Sequence, residues 1–302
     1  MRYGFIGLGH LGAQLAGSLL RGGFDLAITD IDPKAATALV AAGAHWAPDP
    51  HAVAEQVEAV ITCLPSPKAS RAVLAGPRGI LAGLRRGGTW IEMSTNGQAE
   101  VEALAGLAQG KGVHMLECPV TGGVHLAASG AVTVIVGGDL EVFARHRPAL
   151  EAMGKQIFHV GPLGQAAAMK VITNMLAFIH LLAAGEALML AKKGGIDLAQ
   201  AYHVIKASSG ASFVHETEGQ LVLNGSYDIN FTMDLAVKDL GFAMGLGRDF
   251  GVPLDLGGVA YQTFIRARAQ YGGGAMSTQA VKLLEDALGV DLRAPGFPAR
   301  LS

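Results

Sequence analysis

Three glycines near the N-terminus constrain the fold of this chain more than any other feature. Gly7, Gly9 and Gly12 form the spacing G-x-G-x-x-G, directly after the apolar run 3–6 and directly before an Ala/Leu-rich stretch at 13–20. In such a spacing the first glycine permits a tight turn, the second leaves the backbone accessible, and the third lets a helix pack closely on a strand. The pattern therefore predicts a strand, a turn and a helix that begin a β-α-β unit.

Short Val/Ile-rich runs alternate with Ala/Leu-rich helical patterns from residue 2 to about residue 160. This alternation is typical of β-α-β units that build a parallel sheet. The predicted strands are Arg2–Ile6, Leu26–Thr29, Ala59–Cys63, Thr89–Met93, His114–Glu117, Val132–Val136 and Ile157–Val160. We therefore predict an α/β domain with a mainly parallel sheet over residues 1–161.

The character of the chain changes after Gly161 and Pro162. One long Ala/Leu/Met-rich helical pattern runs from about 162 to 193, and helix-like segments follow it with almost no strand signal. We predict an all-α domain over residues 162–302. Its first helix is apolar on most faces, so other helices or a second subunit must cover it, which predicts a homodimer or homotetramer. Because polar residues interrupt its apolar stretch, we interpret it as a core helix rather than a membrane span.

The composition excludes several classes of partner. The 23 Lys and Arg residues nearly balance the 25 Asp and Glu residues, so no basic surface is available to hold nucleic acid or an anionic membrane. Cys63 and Cys118 form no CxxC motif, and the N-terminus lacks the zones of a secretory signal, which favours a reducing cytoplasm. The ten histidines show no ligand spacing, so we expect no metal site.

An acidic residue completes the glycine pattern. Asp30 ends the next predicted strand, eighteen residues after Gly12, where a carboxylate can accept hydrogen bonds from a ribose. A pyrophosphate would lie at the helix N-terminus, next to the loop residues Leu8, His10 and Leu11. The pattern predicts NAD. We expect NAD to be preferred over NADP, because Asp30 repels a 2′-phosphate and Ile31 supplies no arginine, although Lys34 can partly offset that charge. The alternative interpretation is a glycine-rich turn that binds nothing.

Two further strand ends are expected to reach the same crevice. They are the segments 63–66, which contains Leu64 and Pro65, and 93–96, which contains Thr95. Ligands of open α/β sheets bind beyond the carboxyl ends of the strands, and only this position distinguishes the two segments from ordinary turns.

A third loop is a candidate substrate site. The sequence from Glu117 to Gly123 follows another predicted strand and places the hydroxyl of Thr121 beside the adjacent glycines Gly122 and Gly123. Consecutive unencumbered backbone N–H groups can hold a carboxylate. A plain Gly-Gly turn is an equally good interpretation of this loop by itself.

Lys170 is the most informative single residue. It lies in the apolar helical pattern Gly164–Asn174, with Asn174 one turn away on the same face and no acid three or four positions away on either side. Burial and the nearby helix N-terminus both disfavour the charged form of a lysine, so that it can give and take a proton near neutral pH. The alternative is a lysine that buries its stem and keeps its charge in water.

Four motifs in order resemble those of the β-hydroxyacid dehydrogenases, a family that includes 3-hydroxyisobutyrate dehydrogenase and the tartronate semialdehyde and glyoxylate reductases. The motifs are FIGLGHLG, ECPVTGG, GQAAAMKVITN and MDLAVKDL, and the likeness extends over nearly the whole chain. The resemblance implies a Rossmann-like domain, a long interdomain helix and an all-α domain that packs against a partner subunit. It also implies hydride transfer between NAD and a small 3-hydroxy acid or its semialdehyde.

The same resemblance assigns roles to individual residues. It implies Lys170 as the catalytic acid/base, Thr95 and Lys238 as cofactor contacts, and the following substrate contacts or pocket neighbours: Thr121, Gly122, Gly123, Asn174, Phe231 and Asp239. The chain departs from the family pattern with Glu117 in place of the usual Asp and Thr121 in place of Ser, which leaves the substrate undetermined. Two alternatives stay open: an imine reductase, which typically lacks the catalytic lysine, and a non-catalytic nucleotide-binding module.

Overall fold

The computed structural model describes residues 1–301, which divide into two compact units. The first unit is Met1–Lys170, and the second begins at Val171. The first unit carries all nine strands of the described chain: β1 (Arg2–Ile6), β2 (Asp25–Thr29), β3 (His45–Trp46), β4 (Ala59–Thr62), β5 (Thr89–Glu92), β6 (His114–Glu117), β7 (Val120–Thr121), β8 (Val132–Gly138) and β9 (Gly154–Gly161).

The strands form one sheet in the order β3-β2-β1-β4-β5-β6-β8-β7, and β9 pairs with β8. All pairs from β3 to β6 are parallel, whereas β8 runs antiparallel to both β6 and β7 and parallel to β9. The strand order reverses between β1 and β4. Ligand crevices in open α/β sheets form at such a reversal, beyond the carboxyl ends of the strands.

Helices connect these strands: α1 (His10–Arg21), α2 (Thr37–Ala41), α3 (Pro50–Ala54), α4 (Pro67–Ala75), α5 (Ile80–Gly83), α6 (Gln98–Gly110), α7 (Gly123–Ala128) and α8 (Leu140–Met153). Their start points follow from local chemistry. Asp49, Ser66 and Asp139 each accept a hydrogen bond from a backbone N–H of the helix that they precede. Such caps satisfy donors that have no partner within the helix.

Both faces of the sheet are buried. Along β1, Phe5 packs into one apolar cluster and Ile6 into another, and Ile61 and Val60 of β4 alternate in the same way. A parallel sheet covered on both faces has strands that are apolar at nearly every position. This is why the strands appear in the sequence as continuous apolar runs.

The second unit is helical. Helix α9 (Gln165–Lys193) begins in the last residues of the first unit and continues into the second, followed by α10 (Leu198–Lys206), α11 (Phe213–Asn224), α12 (Met233–Phe250), α13 (Asp255–Tyr271) and α14 (Lys282–Leu288). Two short 3-10 helices, Pro33–Ala36 and Ser277–Val281, complete the regular elements of residues 1–301. Phe178, Leu240 and Phe264 belong to the apolar core of this unit.

The described C-terminal segment after α14 contains no helix or strand, but it is attached to the rest of the second unit. The Leu292 side chain is fully buried, and the buried carboxylate of Glu285 accepts hydrogen bonds from Leu292 N at 2.7 Å and from Arg293 Nη1 at 2.8 Å. A buried carboxylate with these two donors holds the segment against the helices. The absence of a periodic pattern therefore gave no indication of how firmly the tail is attached.

The predicted α/β domain with a mainly parallel sheet, followed by helices, is confirmed. Strands occur at all seven predicted positions, and Arg2–Ile6 and His114–Glu117 have the predicted bounds. Two strands were not predicted, His45–Trp46 and Val120–Thr121. Each has only two residues, which is too short to produce a periodic pattern, and each exists because a neighbouring strand offers backbone partners.

Candidate functional site

The three glycines of the first turn have different surroundings. Gly7 has φ +93°, and a Cβ there would lie 2.3 Å from Cys63 O, while a Cβ on Gly12 would lie 2.0 Å from Gly7 O. A Cβ on Gly9 would meet nothing within 4 Å. Gly7 and Gly12 are thus required by the packing of β1, β4 and α1. Gly9 faces open space at the start of α1, where the close approach of a pyrophosphate needs room and uncapped backbone N–H groups.

Asp30 lies beside this turn. Its Oδ2 accepts a hydrogen bond from Leu8 N at 2.5 Å, and its Oδ1 accepts one from Asp32 N at 2.9 Å. Each carboxylate oxygen has a second lone pair that can accept from a ribose hydroxyl. Asp30 therefore also holds the glycine loop against the end of β2, a role that the sequence did not indicate. The neighbouring Ile31 side chain is fully exposed.

The two other strand-end loops are joined to each other and to the glycine turn. Leu64 N donates to Ser94 Oγ at 2.7 Å, and Ser94 N donates to Glu92 Oε1 at 2.7 Å. A Cβ on Gly7 would also lie 2.9 Å from Leu64 Cδ2. The structure thus gathers these segments at the strand-order reversal, as the sequence predicted. Thr95 is half-buried in the second loop, and Pro65 is exposed in the first.

Sequence reasoning did not single out Glu92 and Ser94, although they order both loops. Glu92 is buried at the end of β5, and burial raises the pKa of its carboxyl, while the hydrogen bond from Ser94 N opposes that rise. An acidic residue within an apolar strand was the available signal. A charge at such a position must find hydrogen-bond donors to remain buried.

The turn after β7 contains two successive glycines with positive φ. Thr121 ends β7, and the two following glycines both have left-handed backbones, with φ +120° at Gly122 and +81° at Gly123. Thr121 and Gly122 are half-buried, and Gly123 is exposed. A Cβ on Gly122 would also lie 2.7 Å from Leu126 Cδ1, so this position needs glycine for two reasons. Successive backbone N–H groups in such turns form concavities that hold anions.

Lys170 and Asn174 lie one turn apart on α9. Their side chains are about nine-tenths buried, with 8% and 9% of their surfaces exposed. Asn174 Nδ2 donates to Asp239 Oδ2 at 2.6 Å, and the Lys238 ammonium lies 2.7 Å from Asp239 Oδ1. Asp239 is fully buried between these two partners. Asp239 thus orders the Asn174 amide and forms an ion pair with Lys238.

Phe231 belongs to the second unit and packs against α9. It is half-buried, and its ring centroid lies 6.1 Å from that of Phe178 on α9. The ring of Phe242 lies 5.1 Å from the Lys238 ammonium.

Within residues 1–301 no group of three or more His, Cys, Asp or Glu side chains could hold a metal ion. The functional roles of the residues named from the sequence stay predictions.

Comparison with known proteins covers both parts of the chain. Residues 2–161 match a family described as the NAD binding domain of 6-phosphogluconate dehydrogenase, and residues 164–284 match one described as NAD-binding of NADP-dependent 3-hydroxyisobutyrate dehydrogenase. The chain is 32% identical to 2-(hydroxymethyl)glutarate dehydrogenase of Eubacterium barkeri, with 97% of each chain covered. It is 35% identical to 3-hydroxyisobutyrate dehydrogenase of Pseudomonas aeruginosa, over 86% of this chain and 90% of that one.

A solved structure has the same fold over almost the whole chain. The 3-hydroxyisobutyrate dehydrogenase from Salmonella typhimurium superposes with a TM-score of 0.87 and is 30% identical. The match covers 94% of this chain and 99% of the other.

The glycine turn yields a matched pair of variants. Gly12→Ala should lower the midpoint of thermal unfolding by several degrees, because its Cβ meets the backbone of Gly7 and such overpacking costs roughly 1–3 kcal/mol. Gly9→Ala should leave that midpoint within about one degree and raise the Kd for NADH about tenfold, because its Cβ occupies the open space at the start of α1. Thermal melts and NADH fluorescence titration measure both quantities. Unchanged NADH affinity in Gly9→Ala would contradict this location for the pyrophosphate.

Proposed function

The chain belongs to the 3-hydroxyacid dehydrogenase family, and on this premise we propose that it is a NAD-preferring enzyme whose acid/base is Lys170. Its family establishes the reaction class, an NAD-dependent hydride transfer to or from a small hydroxy acid. The assignment of residues within that class is our proposal. The observation that carries it is a lysine, nine-tenths buried, one helical turn from an amide whose orientation is held by a buried carboxylate.

The proposed chemistry is a proton transfer coupled to hydride transfer. Bound NAD supplies the hydride acceptor, and its reduced form supplies the donor. In oxidation, neutral Lys170 takes the proton from the substrate hydroxyl as the C–H bond breaks, and in reduction its ammonium returns that proton to the carbonyl oxygen. Asn174 orients the same oxygen, and the bond from Asn174 Nδ2 to Asp239 keeps its amide from rotating.

We assign the substrate carboxylate to the loop Thr121–Gly123. Two adjacent glycines support this assignment, because backbone N–H groups without neighbouring side chains in such a turn are accessible to an anion. The Thr121 hydroxyl adds a further donor. The proposed carboxylate site needs no arginine, because backbone N–H groups and a hydroxyl supply its donors. Thr95 and Lys238 are assigned to the cofactor on the basis of their motifs, and Phe231 to the pocket wall.

We place the boundary between the cofactor domain and the helical domain at residues 161 and 162. The two family matches support this position, since one ends at 161 and the other begins at 164. The compact units divide slightly later, after Lys170. The difference arises because the first turn of α9 is bonded to residues of the first unit, so that contacts assign it there.

We propose that a second copy of this chain packs against the exposed apolar side chains of α9. Among the helices of residues 1–301, only α9 is long and apolar enough to cross a membrane. Only 33% of its most apolar 18-residue stretch is buried within the chain. Met169, Ile172 and Leu176 are exposed on it. Covering these side chains stabilises an assembly through apolar burial. Light scattering should give the mass of two or four chains, and a monomer at micromolar concentration would contradict the proposal.

The proposed compartment is a reducing cytoplasm. Cys63 is half-buried and Cys118 is buried, and both are free thiols among the described residues. Unpaired thiols are the usual state of cysteines in reducing compartments.

Substitution of Lys170 tests the acid/base assignment. Turnover of three- and four-carbon 3-hydroxy acids is followed by NADH absorbance, with their methyl esters as probes of carboxylate recognition. In Lys170→Ala, kcat should fall by about 10²–10⁴, the usual worth of general acid/base assistance, while NADH affinity stays within about twofold. Lys170→Arg should rescue little, because a guanidinium does not release its proton near neutral pH.

The matched control is Lys192→Ala, which removes an exposed lysine from the last turn of the same helix and should leave kcat unchanged. Thermal melts confirm that each variant is folded. Near-normal turnover by folded Lys170→Ala would reduce Lys170 to a packing residue. Equal turnover of acids and their methyl esters would contradict the proposal that Thr121–Gly123 binds the substrate carboxylate.

Asp30 is predicted to set the cofactor preference. The wild-type kcat/KM should be higher with NAD than with NADP, and Asp30→Asn should narrow the ratio by about tenfold or more, because it removes the charge that repels a 2′-phosphate. Asn retains one acceptor for the bond from Leu8 N. The control is Asp32→Asn, which removes an exposed acid two residues away. If both variants lowered the NAD/NADP ratio of kcat/KM equally, the preference would arise from the general negative charge of this region and not from a specific contact with Asp30.

A further inference from the structure

A buried carboxylate holds the start of α9. Glu117 is the last residue of β6, and only 1% of its surface is exposed. Its Oε1 accepts hydrogen bonds from Gly164 N at 2.6 Å and from Ala166 N at 2.9 Å, and its Oε2 accepts one from Ala167 N at 3.0 Å. The first N–H groups of a helix have no acceptor within the helix. One side chain therefore satisfies three backbone donors at this helix end.

The three backbone donors shift the Glu117 carboxyl towards its ionised form, whereas burial opposes ionisation. Burial raises the pKa of the Glu117 carboxyl to about 7, and the nearby charge of Glu102 raises it as well, while the three backbone donors lower it. A protonated carboxyl could not accept all three bonds equally well, because its O–H oxygen becomes a donor. Above neutral pH the ionised form also lies at the positive end of the α9 dipole, which stabilises it.

The surrounding backbone provides the space for this side chain. Gly137 of β8 is the cross-strand partner of Glu117, and a Cβ on Gly137 would lie 2.3 Å from Glu117 Oε1. Gly164, which donates one of the bonds, has φ +98°, a backbone that favours glycine. Two glycines are therefore matched to the position of a single carboxylate.

Glu117 connects two segments that the proposed function uses. The loop that leads to Thr121–Gly123 begins at the next residue, Cys118, and Lys170 follows Ala166 by one helical turn. We propose that Glu117 is a positioning residue, which fixes the N-terminus of α9 against the end of β6 and so sets the place of Lys170 relative to the loop Thr121–Gly123. The inference rests on the proposed function, since it concerns the geometry of that site.

The neighbouring strand provides a comparison. Glu92 is the in-register partner of Glu117 on β5 and is equally buried, but its Oε1 accepts a bond from Ser94 N in the loop assigned to the cofactor. The two adjacent carboxylates thus order different parts of the site. Loss of Glu117 should affect the catalytic step, whereas loss of Glu92 should affect cofactor binding. A general loss of stability would not affect the catalytic step in one variant and cofactor binding in the other.

The test uses the full-length protein at about pH 8.5, where Glu117 is ionised. Glu117→Gln keeps the size of the side chain but leaves one accepting oxygen, and Glu117→Asp keeps the charge. We expect kcat of Glu117→Gln to fall about 10- to 100-fold with the KM for NADH within about twofold, because small misplacements of reacting groups cost up to that much. Glu117→Asp should recover at least about a third of the wild-type kcat. Glu92→Gln should instead raise the KM for NADH.

Hydrogen exchange gives a readout that does not depend on activity. In Glu117→Gln, the amides of residues 164–167 should exchange faster than in the wild type, since they lose their acceptor. The control is Glu102→Gln, which removes a nearby exposed charge without touching the three bonds. It should leave kcat and this exchange unchanged.

Gly137→Ala keeps the test decisive if Glu117→Gln does not fold. Its Cβ displaces the Glu117 carboxylate without changing its chemistry, so kcat should fall with the same pattern. The inference would be overturned if folded Glu117→Gln had the wild-type kcat. It would also be overturned if kcat fell in Glu102→Gln as much as in Glu117→Gln. Wild-type protein that turns over no hydroxy acid would instead contradict the proposed function.

Discussion

The close approach of helix α1 to strand β1 is the constraint on which the rest of the first unit depends. Gly12 packs against the carbonyl of Gly7, and Gly7 in turn packs against Cys63 at the end of β4. These contacts leave no room for side chains, so β1, β4 and α1 meet at their closest where the strand order reverses. Gly9, between these two tightly packed glycines, faces open space. Open α/β sheets bind ligands at such a point, so the proposed cofactor site follows the backbone packing.

Buried or half-buried carboxylates organise the loops around the carboxyl ends of the strands. Asp30, Glu92 and Glu117 each lie at or just beyond the carboxyl end of a strand, and each accepts backbone N–H groups from a loop or helix start. In the second unit Asp239 does the same for a side-chain amide. A buried charge is tolerated only with such donors, so each acid fixes the segment that supplies them. Rigid segments keep reacting groups at a defined separation, which is what hydride and proton transfer require.

Helix α9 illustrates how one element serves two demands. Near its start it carries Lys170 and Asn174 one turn apart, a spacing that helical geometry sets by itself. Further along it supplies apolar side chains to the core of the second unit, including Phe178 and Leu181. Several other apolar side chains on it are exposed in the single chain, so contacts within the chain do not account for a helix that is apolar on most faces.

The sequence by itself determined the elements and their chemistry. The glycine spacing, the alternation of apolar runs and the four motifs predicted the α/β domain, the helical part, the cofactor turn and the candidate lysine, because these features depend on local backbone preferences and on periodic burial. Only the tertiary structure decided which acids are buried and what they bind. Glu117 and the segment 164–167 are far apart in the sequence, as are Asn174 and Asp239, and no local preference links them. Such bonds form only when packing brings distant segments together and excludes water, which makes each buried charge depend on donors from another part of the chain.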